Sequence, residues 1–291
     1  MMLQENGFVH ANRPTGPAIA LCVAALAIFV VEASENCALA QGRLDAQYTV
    51  TLAGLPIGNG TWTIDIRDDR YNMAASGATS GIMRAFASGR GQSSARGAVS
   101  GGALVTSNYS SNVQTDKKYD EVHMVISGGN VKEFVADPPT VPGPERIPLT
   151  DAHRRGVADP MTAPLLRVGG NGDTLVPQAC HRTLAIFDGR MRYDLRLAFK
   201  RFERVSSSGY QGLAVVCAVQ FAPIAGHIPQ RYVLRYLSES PDMELWFAPI
   251  AGTRILAPYR ASIPTPLGEG VMEATQFVSV PQSSRANART Q

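Results

Sequence analysis

The sequence predicts a mainly β protein, built as one large curved antiparallel sheet (a barrel or half-barrel) with one or two short helices. About a dozen segments have strand signals, and in several of them, such as 46–53, 61–66 and 213–221, apolar and polar residues alternate with a period of two. Gly (27) and Pro (19) are frequent and charged residues make up only 18%, a composition typical of β-rich domains. The segments also follow one another at regular intervals, as in a barrel. Two separate β-domains are the alternative.

The N-terminal segment has the pattern of a secretory signal. Residues 18–31 form an apolar run that is followed by Glu32, Glu35 and the sequence Ala38-Leu39-Ala40, which predicts cleavage after Ala40. The run is shorter than the roughly 20 residues of a membrane-spanning helix. Only Arg13 supplies a basic side chain before it, so an uncleaved anchor is the alternative. We expect a targeting sequence at 1–40 and a periplasmic protein.

The remainder is expected to form a single β-rich domain over 41–281. Its first strands are predicted at 46–53, 61–66, 71–78, 92–99, 103–113, 119–127 and 130–135, with a short helix possible within 79–91. In the first of them Tyr48, Val50 and Leu52 alternate with polar residues, so one face is expected to be buried. Short turns between these segments predict a meander.

A proline-rich connector at 137–148 separates the two runs of strands. After it, residues 157–166 predict a short helix, with Asp159 as the N-cap and Pro160 at the first helical position. Pro164 lies far enough inside to distort that helix.

The second run of strands is predicted at 180–187, 190–200, 213–221, 231–237, 244–249, 254–263 and 272–280. Asp188-Gly189 between two alternating segments is a strong hairpin signal. Residues 282–291 are polar and predict a disordered tail.

Two cysteines, Cys180 and Cys217, follow the predicted signal. In an oxidising compartment two cysteines in one domain most simply form a disulfide. Closing this loop would stabilise the fold by roughly 3–4 kcal/mol. Two buried free thiols are the alternative.

Charge and motifs exclude several classes of function. Beyond residue 40 the chain has 26 basic and 21 acidic side chains, a net charge of +5, without a run of Lys or Arg, so we expect no nucleic-acid partner. The histidines are scattered. Asp151, His153 and Asp159 form a local cluster, but Arg154 and Arg155 oppose a cation there. Nucleophile and phosphate-loop motifs are missing. We therefore expect no enzyme activity, catalytic residue, metal or cofactor.

The segment 188–194 contains the most distinctive charged pair. Arg190 and Arg192 lie on the same side of a predicted strand and could bind an anionic group through bidentate hydrogen bonds. The alternative is a solvated face beside an Asp-Gly turn.

The order of several short motifs resembles the DUF3108 family of exported bacterial proteins, whose function is unknown. These motifs are Tyr48–Gly58, Asp159-Pro160, Cys180, the sequence Phe187–Asp194, Cys217, Ile224–His227, Leu245-Trp-Phe, Pro258 and Thr265–Gly268. The resemblance covers about residues 45–280. It implies an envelope-associated β protein and agrees with a disulfide, but it implies no catalytic residues.

The expected function follows from architecture alone. A curved sheet can enclose a hydrophobic or lipid-like envelope ligand, in which case its concave face should be apolar and unfilled. The alternative is a structural or interaction component of the cell envelope, with a filled core and an exposed apolar patch. Contact with the membrane would be peripheral at most after cleavage of the signal.

Overall fold

A computed structural model of the chain describes residues 41–81, 88–141, 143–240 and 243–282. The predicted targeting sequence, residues 82–87 of the ambiguous stretch and residues 283–291 of the predicted tail lie outside these ranges. Fourteen strands occur in the described part of the chain. They are β1 (Gly42–Leu52), β2 (Leu55–Ile66), β3 (Arg70–Thr79), β4 (Gly89–Ser100), β5 (Ala103–Thr115), β6 (Tyr119–Ser127), β7 (Asn130–Asp137), β8 (Leu166–Arg167), β9 (Arg182–Phe187), β10 (Arg192–Ser207), β11 (Tyr210–Ala225), β12 (Met243–Pro249), β13 (Ile255–Thr265) and β14 (Gly268–Pro281).

All fourteen strands belong to one antiparallel sheet, which confirms the predicted fold class. Their order is β7-β6-β5-β4-β3-β2-β1-β14-β13-β12-β11-β10-β9, and β8 pairs separately with β13. The first strand therefore pairs with the last, which joins the two runs into a continuous sheet. Among the described residues the sheet does not close, because β7 and β9 are its two edge strands and do not pair with each other.

The two edge strands nevertheless approach each other. The Phe134 ring of β7 packs edge-on against Phe187 of β9, with ring centroids 5.7 Å apart. Beside them, the Ala158 N–H donates to Ala185 O at 2.9 Å, and the Val157 N–H donates to Gly129 O at 2.8 Å. The segment around Ala158 thus bridges one sheet edge to the β6–β7 turn and satisfies backbone groups that an open edge would expose.

The main core lies between the two runs of strands. It contains the fully buried side chains Leu44, Ile64, Tyr71, Phe187, Tyr259 and Phe277, among others. Tyr210, Tyr259 and Phe277 contact one another with ring centroids 5.7–6.1 Å apart. Because both halves contribute, each buried aromatic side chain, worth about 1.5–3 kcal/mol, stabilises the sheet as a whole.

A second apolar cluster covers the opposite face of β9–β13. Strand alternation explains it: Val216 lies in the main core, whereas Val215 and Cys217 point the other way. Cys217 forms a disulfide with Cys180, as predicted. The bond ties a short 3-10 turn at Pro177–Cys180 onto β11.

Two local predictions are wrong. Residues 160–164 form turns instead of a helix, as Pro164 allows; Asp159 still caps them, accepting from the N–H groups of Met161 and Thr162 at 2.9 and 3.0 Å. The segment predicted as a strand at 231–237 is instead the helix α1 (Tyr232–Glu239). Its aromatic residues Tyr232 and Tyr236 are spaced four apart and stack on one helical face.

Candidate functional site

Three hairpin tips lie at the same end of the sheet. They join β1 to β2, β5 to β6, and β13 to β14. Antiparallel pairing brings the first and last of these tips into contact, because the Ala53 N–H donates to Glu269 O at 2.9 Å. Gly268, at φ 116°, permits this approach: a Cβ atom there would lie 2.8 Å from Ala53 Cβ.

The two touching tips expose apolar side chains. Leu267 is 76% exposed and Leu55 is 54% exposed, and Pro56 and Pro266 beside them are also exposed. Isolated exposed leucines are common, but here two of them protrude from adjacent tight turns. Moving either leucine from water into an apolar phase would gain up to about 1.5–3 kcal/mol.

The β5–β6 tip at the same end is basic. Lys117 and Lys118 are exposed, and the Thr115 hydroxyl orders their backbone by accepting the Lys118 N–H at 2.9 Å. The neighbouring Asp116 carboxylate accepts hydrogen bonds from the Ser88 hydroxyl and N–H, which lower the pKa of Asp116. We call the exposed residues Leu55, Pro56, Lys117, Lys118, Pro266 and Leu267 the tip surface.

Side chains occupy the interior of the described sheet. Tyr71, Phe187, Tyr259 and Phe277 fill the space between its two halves. An apolar concave face left open for a ligand is therefore not found among the described residues.

The structure gives Arg190 and Arg192 partners within the chain. The Arg190 guanidinium bonds to Asp120 at 3.0 Å, Pro138 O at 3.0 Å and Thr140 Oγ1 at 3.1 Å. Arg192 contacts Asp194 at 2.6 Å. Arg190 thus joins the β9–β10 turn to β6 and to the connector after β7. Contact of this pair with an external anionic group stays a prediction.

A buried polar cluster surrounds Asp159. The Thr106 hydroxyl donates to the Asp159 carboxylate at 2.6 Å, and the Tyr71 hydroxyl lies 3.0 Å from both Thr106 and Thr162. Burial raises the pKa of Tyr71 to about 12. Sequence reasoning identified Asp159 as a cap but missed Tyr71 and Thr106, because their contacts join distant parts of the chain. All four side chains of this cluster are buried, and they link β3 and β5 to the turns at 160–164.

The histidine and acidic residues considered as metal ligands are not brought together. Asp159 is buried, whereas the side chain of Asp151 is 84% exposed and pairs with Arg154. Over the ranges that the structure describes, there is no group of three His, Cys, Asp or Glu side chains that could hold a metal ion.

Within these ranges there is also no helix with the length and apolarity needed to cross a membrane.

Comparison with known proteins gives a family and a distant structural likeness. The DUF3108 family, described as a protein of unknown function, matches residues 47–275. Among curated protein sequences, none matches significantly. The crystal structure of a beta-barrel-like protein of the domain of unknown function DUF1849 from Brucella abortus is similar over 83% of this chain and 98% of its own, with 9% identity and a TM-score of 0.43.

Proposed function

The chain belongs to the DUF3108 family, whose function is unknown, and we propose that it is an exported, non-enzymatic protein of the cell envelope that contacts lipid through its tip surface. The observation that carries this proposal is the pair of exposed leucines on touching tips, with two lysines at the same end. This surface offers apolar insertion together with attraction to anionic headgroups.

The filled core shapes this proposal. A protein that encloses a lipid needs an empty apolar interior, whereas the described interior is packed with aromatic and aliphatic side chains. A lipid-like ligand would therefore contact the tip surface, at the ends of the strands. Contact with a bilayer would be peripheral. The apolar run at 18–31 and the Cys180–Cys217 disulfide support export to an oxidising compartment such as the periplasm.

Co-sedimentation with lipid vesicles tests the proposal. The protein is secreted to the periplasm of an expression host, purified and mixed with vesicles of phosphatidylethanolamine and phosphatidylglycerol. We expect binding that weakens about tenfold or more in the variant L55S/L267S, because the apolar contribution of both side chains is lost. Binding of the variant K117A/K118A to these vesicles should weaken by about 1 kcal/mol per lysine, because phosphatidylglycerol is anionic.

Leu213→Ser is the matched control, since Leu213 is 43% exposed on β11, away from the tips. It should bind vesicles like the unaltered protein. Equal vesicle binding by L55S/L267S and L213S would contradict the proposed lipid contact.

A second candidate function is docking of another envelope protein on β7. In the part of the chain that the structure describes, this strand pairs only with β6, and its Val135 side chain is 64% exposed. An unpaired edge can accept a strand from a partner. A photo-crosslinking residue at position 135 should then capture a defined envelope protein in cells, whereas the same group at Leu213 should not.

A further inference from the structure

The outward face of β2–β7 carries polar side chains in register across the strands. One row consists of Thr63, Ala74, Ser94, Ser110, His123 and Val135, which are successive partners in the pairing of these six strands. Neighbouring strands lie about 4.8 Å apart, so the Ser94 and Ser110 hydroxyls lie on adjacent strands, and Thr63 lies two strands from Ser94. We call the depression above this row the polar groove.

The groove is a concave feature of substantial size. Two cavities of about 550 and 410 Å³ adjoin along it and share Ser94, Ser110 and His123. Each lies within the range of small-ligand sites. Small side chains form its floor, while longer ones such as Gln92 and Arg96 rise beside it.

Neutral hydrogen-bonding groups dominate the groove. The hydroxyls of Ser94 and Ser110 are 2.8 Å apart, as are those of Thr61 and Ser76. A hydroxyl has two lone pairs and one proton, so each paired hydroxyl keeps acceptor capacity on the solvent side.

Carboxylates outnumber guanidinium groups among the charged side chains of the groove. Glu121 lies 2.6 Å from His123 Nε2 and also accepts from the Tyr119 hydroxyl. Arg96 donates to Asn108 Oδ1 at 3.2 Å, and Glu133 lines the same cavity. The groove thus carries one guanidinium and two carboxylates, which disfavours a phosphate or an acidic polymer as the ligand.

Apolar surface borders the hydrogen-bonding groups. Val125 is 40% exposed and Val135 is 64% exposed at one side of the groove, and the Tyr119 ring is 42% exposed on the same strand as His123. A sugar ring has this same combination of properties, with hydroxyls around its edge and C–H groups on its faces.

We infer that the polar groove binds a neutral linear oligosaccharide, laid across strands β2–β6 with its hydroxyls bonded to Ser94, Ser110 and the amide and imidazole groups beside them. A lipid tail would leave these polar groups unpaired, at a cost of about 1–3 kcal/mol each. A peptide adding to the sheet would need an edge, whereas the groove lies on a face. The inference is independent of the tip surface, which lies at the strand ends.

Titration calorimetry with chitohexaose and maltoheptaose tests this inference, with an oligogalacturonate as the acidic comparison. At least one neutral oligomer should bind with a dissociation constant in the millimolar range or lower. It should also bind more tightly than the acidic oligomer. The variant S94L/S110L, which fills the floor of the groove, should bind it about tenfold more weakly or worse, a change of about 1.4 kcal/mol.

Ser206→Leu is the matched control, because Ser206 is exposed on β10 outside the groove; it should bind like the unaltered protein. If S94L/S110L fails to fold, His123→Ala provides the same test at a largely exposed side chain. The inference is overturned if neither neutral oligomer binds, if the acidic oligomer binds at least as well, or if the folded groove variant binds as tightly as the control.

Discussion

Asp159 shows how a single residue joins distant parts of this chain. Its side chain is 0% exposed and accepts hydrogen bonds from the Thr106 hydroxyl and from the N–H groups of Met161 and Thr162. Burial of a carboxylate is costly unless donors surround it, and here three donors from two segments do so. The network holds the 160–164 turns against β5.

We predict that Asp159→Ala lowers the free energy of unfolding by about 3–5 kcal/mol, because the substitution leaves buried donors without partners. Denaturation in urea measures the change. Asp173→Ala is the control, since Asp173 is exposed and accepts a single backbone hydrogen bond from Leu175; it should cost less than about 1 kcal/mol. An equal loss of unfolding free energy in both variants would contradict the prediction that the buried hydrogen bonds of Asp159 stabilise the fold.

At the scale of elements, strand β11 separates two cores. Its alternating side chains face the main core on one side and the disulfide cluster on the other. Cys180 and Cys217 are 37 residues apart in sequence, and the bond fixes the segment that covers the second face. This face thus depends on a covalent link as well as on apolar packing.

We predict that the variant C180A/C217A is less stable by roughly 3–4 kcal/mol, since the disulfide restricts a loop of this length in the unfolded chain. Urea denaturation of the variant, compared with the oxidised protein, measures the difference. The reduced unaltered protein should match the variant within about 1 kcal/mol. A variant as stable as the oxidised protein would contradict this account.

At the scale of the whole molecule, β1 and β14 unite the two runs of strands. Pairing from Gly42–Pro281 to Leu52–Gly270 converts two chain segments into one sheet, and both contribute to the main core. A core shared in this way favours a single cooperative transition.

We predict that both halves unfold together. Trp62 lies in β2 and Trp246 in β12, and both are buried in the main core. Fluorescence of the variants W62F and W246F therefore reports on one half each. Their urea transitions should each coincide with that variant's own transition measured by circular dichroism, whereas a mismatch within either variant would indicate two independently unfolding domains.

The sequence by itself determined the mainly antiparallel architecture and the cysteine pair, because both depend on local signals. Period-two alternation predicts which residues face inward on each strand, and Asp188-Gly189 predicts its hairpin from turn chemistry alone. The helix α1 was predicted as a strand because Tyr232–Glu239 is short and its local sequence favours β structure. Packing of Leu237 on the second cluster is a tertiary contact that the local sequence does not show.

Only the tertiary structure decided which strands are neighbours, and therefore where the surfaces lie. The pairing of β1 with β14 brings the tip that carries Leu55 into contact with the tip that carries Leu267, although these leucines are more than two hundred residues apart. The register of six strands aligns Ser94, Ser110 and His123 in one groove. Such contacts depend on long-range pairing and β-bulges, whose energies are set by packing across the whole sheet, so no local pattern in the sequence encodes them.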